Sequence, residues 1–145
     1  PPPPIIKTAA RIRTATRTDL QAIFRVDQAA FKPLWRYSLR MLGQATNQAE
    51  YATVACADHD VVGYLLASHA NGKVFLARLV VTPDFQHRGV GRALTLDMLH
   101  QFARRRAPMV EVNTQDYNVA SIALYQALNF EFTGEQAQIW YCELN

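Results

Sequence analysis

Apolar positions along this chain recur in two rhythms. Arg11–Ala15 alternates in the period-two manner of a half-buried strand. From Leu20 the period lengthens: Leu20, Ile23, Phe24 and Ala30 fall near helical spacing. Ahead of them Thr16-Arg17-Thr18-Asp19 fits a capping box, with Thr16 as N-cap and Asp19 at N3. The aromatic stretch Phe31-Lys32-Pro33-Leu34-Trp35-Arg36-Tyr37 ends that helix, and a second helix is expected over Ser38–Gln48. Three strand-length runs follow, Tyr51–Ala57, Val61–Ala70 and Val74–Val81. Asp58-His59-Asp60 and Asn71-Gly72-Lys73 separate them, and Asn-Gly is a strong hairpin signal. Gly89–Arg105 reads as a helix burying Ala93, Leu94, Leu96, Leu99 and Phe102, and Met109–Thr114 as a strand. Asn118 then caps a helix to Leu128, and two strands, Phe130–Thr133 and Gln138–Leu144, close the chain.

The predicted order is β-α-α-β-β-β-α-β-α-β-β. Hairpins build an antiparallel half, and one strand–helix–strand crossover adds a parallel pair. The expected fold is therefore α/β (α+β), a mixed, mostly antiparallel sheet of about seven strands flanked by about four helices. There is no internal repeat or linker, so residues 11–145 read as a single domain. Residues 1–10 read as a tail, and its four leading prolines are left out of the fold reasoning.

Composition acts mainly by exclusion. With 50% hydrophobic and 19% charged residues over 145 positions, the chain suits one globular core. No apolar run approaches the ~18 residues of a membrane helix, and Pro1–Ile6 lacks the pattern of a signal peptide. A net charge of +3 is too small to argue for nucleic acid. The basic triplet Arg104–Arg106 reads as a complement to a helix C-terminus. Two cysteines, Cys56 and Cys142, are too few for a disulfide framework and favour a reducing, cytoplasmic setting. His59, His69 and His100 lack metal-ligand spacing, so no metal is expected.

The segment Leu79-Val80-Val81-Thr82-Pro83-Asp84-Phe85-Gln86-His87-Arg88-Gly89-Val90-Gly91-Arg92 places a strand, a loop and a glycine-punctuated helix start in succession. Glycine lets backbone N–H groups approach an anion, and a first helical turn offers unpaired donors. Arg88 and Arg92 flank that turn with positive charge. Loop punctuation is the plain alternative. A dinucleotide fingerprint is a second, since Gly89-Val90-Gly91 is followed by Glu111 at about twenty residues. Leu94 in place of the third glycine, and the long Pro83–Arg88 spacer, speak against it.

Gln86-His87-Arg88-Gly89-Val90-Gly91 resembles the Gln/Arg-x-x-Gly-x-Gly/Ala loop of the GNAT superfamily of acetyl-CoA-dependent N-acetyltransferases. Asn118-Val119-Ala120-Ser121-Ile122-Ala123-Leu124-Tyr125-Gln126-Ala127-Leu128-Asn129-Phe130 is similar to that superfamily's Asn-x-x-Ala-x-x-Leu-Tyr-x-x-x-Gly-Phe segment, with Asn129 replacing Gly. Asn tolerates the left-handed conformation wanted there. The likeness is strongest over Val74–Phe130, and the chain resembles the single-domain members that acetylate ribosomal-protein alanine.

The resemblance implies acetyl transfer from acetyl-CoA to a primary amine of a small molecule or peptide, by direct attack in a ternary complex. No nucleic acid or membrane partner is implied, and a homodimer is compatible with it. Leu79, Val80 and Val81 would offer backbone groups to the pantetheine arm. Gln86, His87, Arg88, Gly89, Val90, Gly91 and Arg92 would wrap the pyrophosphate, and Asn118 would reach the pantetheine or help part the strands. Tyr125 would protonate the departing thiolate, and Phe31, Trp35, Arg36 and Tyr37 would overhang the acceptor. Relatives that acetylate protein N-termini carry a glutamate where Asn113 stands, so Glu111, on the same sheet face, is the candidate base. Asp84, His87 and Asp116 read more simply as turn or surface residues. Loss of that glutamate is what a non-catalytic CoA-binding module of the same fold would show.

Overall fold

The computed structural model describes residues 2–4, 8, 10–115 and 118–135. Its elements are β1 (Arg11–Thr14), α1 (Leu20–Ala30), α2 (Leu39–Gln48), β2 (Tyr51–Ala57), β3 (Asp60–Ala70), β4 (Lys73–Val81), α3 (Val90–Arg104), β5 (Val110–Val112) and α4 (Val119–Ala127). Short 3-10 turns at Arg17–Asp19, Pro33–Trp35 and Pro83–Phe85 precede α1, α2 and α3.

Local chemistry explains most boundaries. The Thr16–Asp19 capping box is present, with the Thr16 N–H donating to the Asp19 carboxylate at 2.8 Å. It caps the 3-10 turn, and α1 starts one residue beyond. Arg13 donates to both Asp19 oxygens at 2.7 and 2.8 Å, and this pairing holds the Asp19 carboxyl down at about 2. Ser38 caps α2 by accepting from the Met41 N–H at 3.1 Å. At the β3–β4 hairpin Asn71 and Gly72 take φ of 53° and 75°, the left-handed pair that a two-residue turn demands.

The sheet runs β1-β2-β3-β4-β5, antiparallel throughout except for the parallel pair β4–β5. Each face carries its own core. On one, Ile23 and Val26 of α1 and Leu42 of α2 pack on Val54, Tyr64, Leu66 and Val80. On the other, Val90, Leu94, Met98 and Phe102 of α3 and Tyr125 of α4 pack on Leu65, Ala67, Val74 and Leu76. No helix among the described residues is long and apolar enough to cross a membrane.

The described sheet has five strands, where about seven were expected. Phe130–Thr133 forms no strand among the described residues: the Phe130 N–H turns back to the Tyr125 carbonyl at 2.9 Å, and the exposed residues after it join no described ladder. The expected strand Gln138–Leu144 lies outside the described residues. The order β-α-α-β-β-β-α-β-α holds up to α4.

Two features of β4 position the site. Leu66 pairs with Arg78 but Ala67 pairs with Leu76, so Ala77 is an extra, bulged residue. The bulge flips the alternation. Before it Val74 and Leu76 face α3; after it Leu79 and Val81 do, while Val80 joins the α1/α2 core. In addition, β5 pairs only with Val74–Leu76, and beyond that no described strand lies on this edge of β4. The sheet therefore forks after Leu76 and Val112.

Candidate active site

The fork leaves the outer backbone edge of residues 77–81 without a strand partner among the described residues. Those N–H and C=O groups can take an extended, amide-bearing ligand as a strand would be taken. Leu79 and Val81, two of the expected pantetheine contacts, line this edge on the α3/α4 face, and Val80 points into the opposite core.

The N-terminus of α3 is delivered to the end of β4 by Gly63. A Cβ at that position would lie 2.9 Å from the Val80 carbonyl oxygen and 3.3 Å from Leu94 Cδ1, so only glycine lets α3 sit this close. The loop between them is short and braced. Gln86 donates its side-chain amide to the Val81 carbonyl at 2.9 Å, which makes it a pin for the loop. The exposed Arg88 lies over Phe85, 5.1 Å from the ring centroid. His87 adopts φ of 61° and Gly89 φ of 81°, and Gly89 is the N-cap of α3 with no side-chain cap.

The first intrahelical bond of α3 runs from the Ala93 N–H to the Gly89 carbonyl, so the N–H groups of the preceding turn have no helical acceptor. Arg92 belongs to the same first turn, and its Nε is buried with no hydrogen-bond partner among the described residues. Uncapped backbone donors, a buried orphan guanidinium nitrogen and a glycine cap fit a ligand carrying several anionic oxygens. Gly91 is also a packing position. A Cβ there would meet Leu124, Val81 and Leu79 at 3.6, 3.8 and 4.0 Å, so it faces the junction of α3, β4 and α4.

Helix α4 brings Tyr125 to the same face. Asn118 is its N-cap, accepting from the Ser121 N–H at 3.2 Å, and Asn129 takes the left-handed φ of 66° just past its end. Tyr125 is 8% exposed and packs on Phe130 at 5.4 Å between centroids. Its hydroxyl bonds to no described residue, and burial pushes it up to about 12. Glu111 stands apart. It pairs with Phe75 in the closed part of the β4–β5 ladder, and Lys73 Nζ lies 3.1 Å from its carboxylate.

Sequence reasoning passes over a cluster on the opposite face. Asp27 is fully buried; it accepts from the Tyr64 hydroxyl, from Arg78 Nε at 2.8 Å and from the Tyr37 N–H at 2.9 Å. Arg78 also donates to the Trp35 carbonyl at 2.7 Å, so β4 is tied to the loop 31–37. Burial and the Asp27 carboxylate push the Tyr64 hydroxyl well above its ordinary range. The signals that could have found it are an aspartate in the apolar stripe of α1 and an arginine inside an apolar strand, each costly to bury alone. Of the loop residues expected over the acceptor, Phe31 and Tyr37 pack around Arg78, and Arg36 Nε donates to the Phe31 carbonyl at 2.8 Å.

Comparison with known proteins agrees with this geometry. The model of the Acetyltransferase (GNAT) family matches residues 15–130. The ribosomal protein bS18-alanine N-acetyltransferase of Escherichia coli (strain K12) is 26% identical over 121 residues, covering 82% of this chain and 79% of that protein. The crystal structure of the ribosomal-protein-S18-alanine N-acetyltransferase from Escherichia coli superposes with a TM-score of 0.74 at 25% identity, covering 84% of this chain and 77% of that one. The PaiA N-acetyltransferase of Thermoplasma acidophilum, solved in complex with coenzyme A, shares the fold at a TM-score of 0.73 and 17% identity, over 81% and 87% of the two chains. The chain belongs to the acetyltransferase (GNAT) family, enzymes that transfer an acetyl group from acetyl-CoA to an amine.

Proposed function

We propose that residues 11–145 form one catalytic unit that acetylates a primary amine of a peptide or small molecule by direct attack within a ternary complex. The observation that carries the reading is the fork between β4 and β5, with the uncapped end of α3 at its mouth and the Tyr125 hydroxyl on the same face. Acetyl-CoA supplies the thioester. The free edge of residues 77–81 holds the pantetheine amides in line. The backbone of Gly89–Arg92 and the guanidinium of Arg92 hold the pyrophosphate, with Arg88 adding charge from the loop. His87 and Gln86 shape that loop, and Asn118 sets the start of α4.

The acceptor nitrogen forms a bond to the acetyl carbon, and the carbon–sulfur bond breaks. Tyr125 Oη gives its proton to the departing sulfur. Glu111, the carboxylate of β5, takes the amine's proton through water. Attack from the α1/α2 face is consistent with the α3/α4 face holding the rest of the thioester.

Arg92 tests the anion site without disturbing the fold, because its Nε has no described partner to lose. Arg92→Gln is expected to weaken CoA binding by about tenfold or more, the scale of one charge-assisted hydrogen bond. Wild-type affinity, measured by calorimetry, should also fall as salt rises, since the charge term is screened within about 8–10 Å. Equal affinity in the variant, together with a flat salt response, would place the pyrophosphate elsewhere.

A further inference from the structure

Arg78 is a cation set into an apolar strand, and most of its donors are spoken for. Nε donates to Asp27 Oδ1 at 2.8 Å and to Tyr64 Oη at 3.0 Å. Nη2 donates to the Trp35 carbonyl and lies 2.7 Å from Asp27 Oδ1. The guanidinium carbon lies over the rings of Phe31 and Tyr37, 4.1 and 3.7 Å from their centroids. Nη1 donates to no described residue, and the side chain keeps 11% of its surface open.

Stability alone gives little reason for such a construction, because a buried ion pair often does no better than apolar residues of the same volume. A guanidinium held by two rings, with one nitrogen free of any described partner, is instead a pre-organised donor for a planar oxygen acceptor. Its place is informative. Arg78 immediately precedes Leu79–Val81, but the bulge at Ala77 turns its side chain to the α1/α2 face. The anion site and Tyr125 occupy the other face, so an amine entering opposite them passes the loop 31–37 and Arg78. Asp27 balances the charge of Arg78, which leaves the pair close to neutral overall. A neutral pair suits an uncharged carbonyl better than a second carboxylate.

We propose that Arg78 is a specificity-determining residue whose Nη1 takes a carbonyl oxygen of the acceptor. The enzyme then favours amines with an amide carbonyl close to the nitrogen over plain alkylamines. This inference rests on the acetyl-transfer reading and adds the acceptor group and the residue that reads it.

The test compares alaninamide with isopropylamine, a matched amine lacking the carbonyl, each at the same concentration of neutral amine and with saturating acetyl-CoA. Wild type should show a kcat/KM for alaninamide roughly ten- to a hundredfold higher, the worth of one hydrogen bond to a charged donor. Arg78→Lys keeps a cation beside Asp27 but removes the fork, and it should erase that preference, bringing the ratio of the two kcat/KM values close to one. A wild type without preference overturns the proposal even if the variant fails to fold. So does an equal fall for both amines in Arg78→Lys, which would mark Arg78 as a brace for the loop. If wild type acetylates neither these nor any other amine, the acetyl-transfer reading itself falls, and this one with it.

Discussion

Tyr125→Phe should lower kcat by about two to three decades, or roughly 3–4 kcal/mol, with the acetyl-CoA KM and the melting temperature close to wild type. The substitution keeps the ring, which is 8% exposed and packed on Phe130. It deletes a hydroxyl that bonds to no described residue, so the fold loses no hydrogen bond among them. Burial holds that hydroxyl up at about 12, and it therefore remains a proton donor across the pH range in which amines lose their protons. In wild type, kcat should rise with pH as the acceptor deprotonates, with no alkaline fall until the pH approaches 12. Glu111→Gln is the companion: a base should lose rate at neutral pH and regain part of it at high pH. A structural tyrosine predicts the reverse pattern for Tyr125→Phe, stability lost and rate kept. Retention of more than half of kcat in a chemistry-limited assay would remove Tyr125 from the acid role.

Asp27→Ala should cost the fold about 3–5 kcal/mol, the penalty for leaving one partner of a buried pair alone. Asp27 is 0% exposed and balances Arg78, while also accepting from the Tyr64 hydroxyl and the Tyr37 N–H. Removing it leaves a guanidinium, a hydroxyl and a backbone N–H short of an acceptor in a dry site. For a chain of this size the melting temperature should fall by roughly 6–20 °C. Arg13–Asp19 provides a contrast: its arginine side chain is 38% exposed, so solvent screens the pair and its loss should cost far less. A thermal scan in which Asp27→Ala melts within about 2 °C of wild type would show that the cluster carries no stability.

How much of the fold is legible in the sequence depends on whether the cause is local. Tyr51–Ala57 is a strand over its expected span because its apolar run and flanking turns act on that segment alone. Asn118 and Asn129 mark the ends of α4 for similar reasons, a side-chain cap and a tolerated left-handed φ. The glycine loop and its arginines are visible through residue type, whereas the buried Arg92 Nε, without a partner among the described residues, is visible only in the fold. Gly91 shows the limit. Residue type alone assigns it to ligand approach, yet its empty side faces Leu124 and β4, a packing fact that only the fold reveals.

The bulge at Ala77 is likewise invisible in the sequence, and it hides Arg78. Uninterrupted alternation would put Arg78 on one face with Leu76 and Val80; the extra residue separates it from Leu76. Asp27 is hidden by the opposite effect, since it sits in the helical apolar stripe where a core residue belongs. Phe130–Thr133 has strand-like composition, but a strand exists only with a ladder partner, and Phe130 folds back on Tyr125.

Acetyl transfer itself is the most direct measurement: initial velocities over a grid of acetyl-CoA and amine concentrations, following free CoA thiol and acetylated amine together. One acetylated amine is expected for each thiol released, with reciprocal plots that intersect, the pattern of direct attack in a ternary complex. Binding of CoA without turnover on any amine would leave only a CoA-binding module, and parallel lines would replace direct attack with an acetylated enzyme.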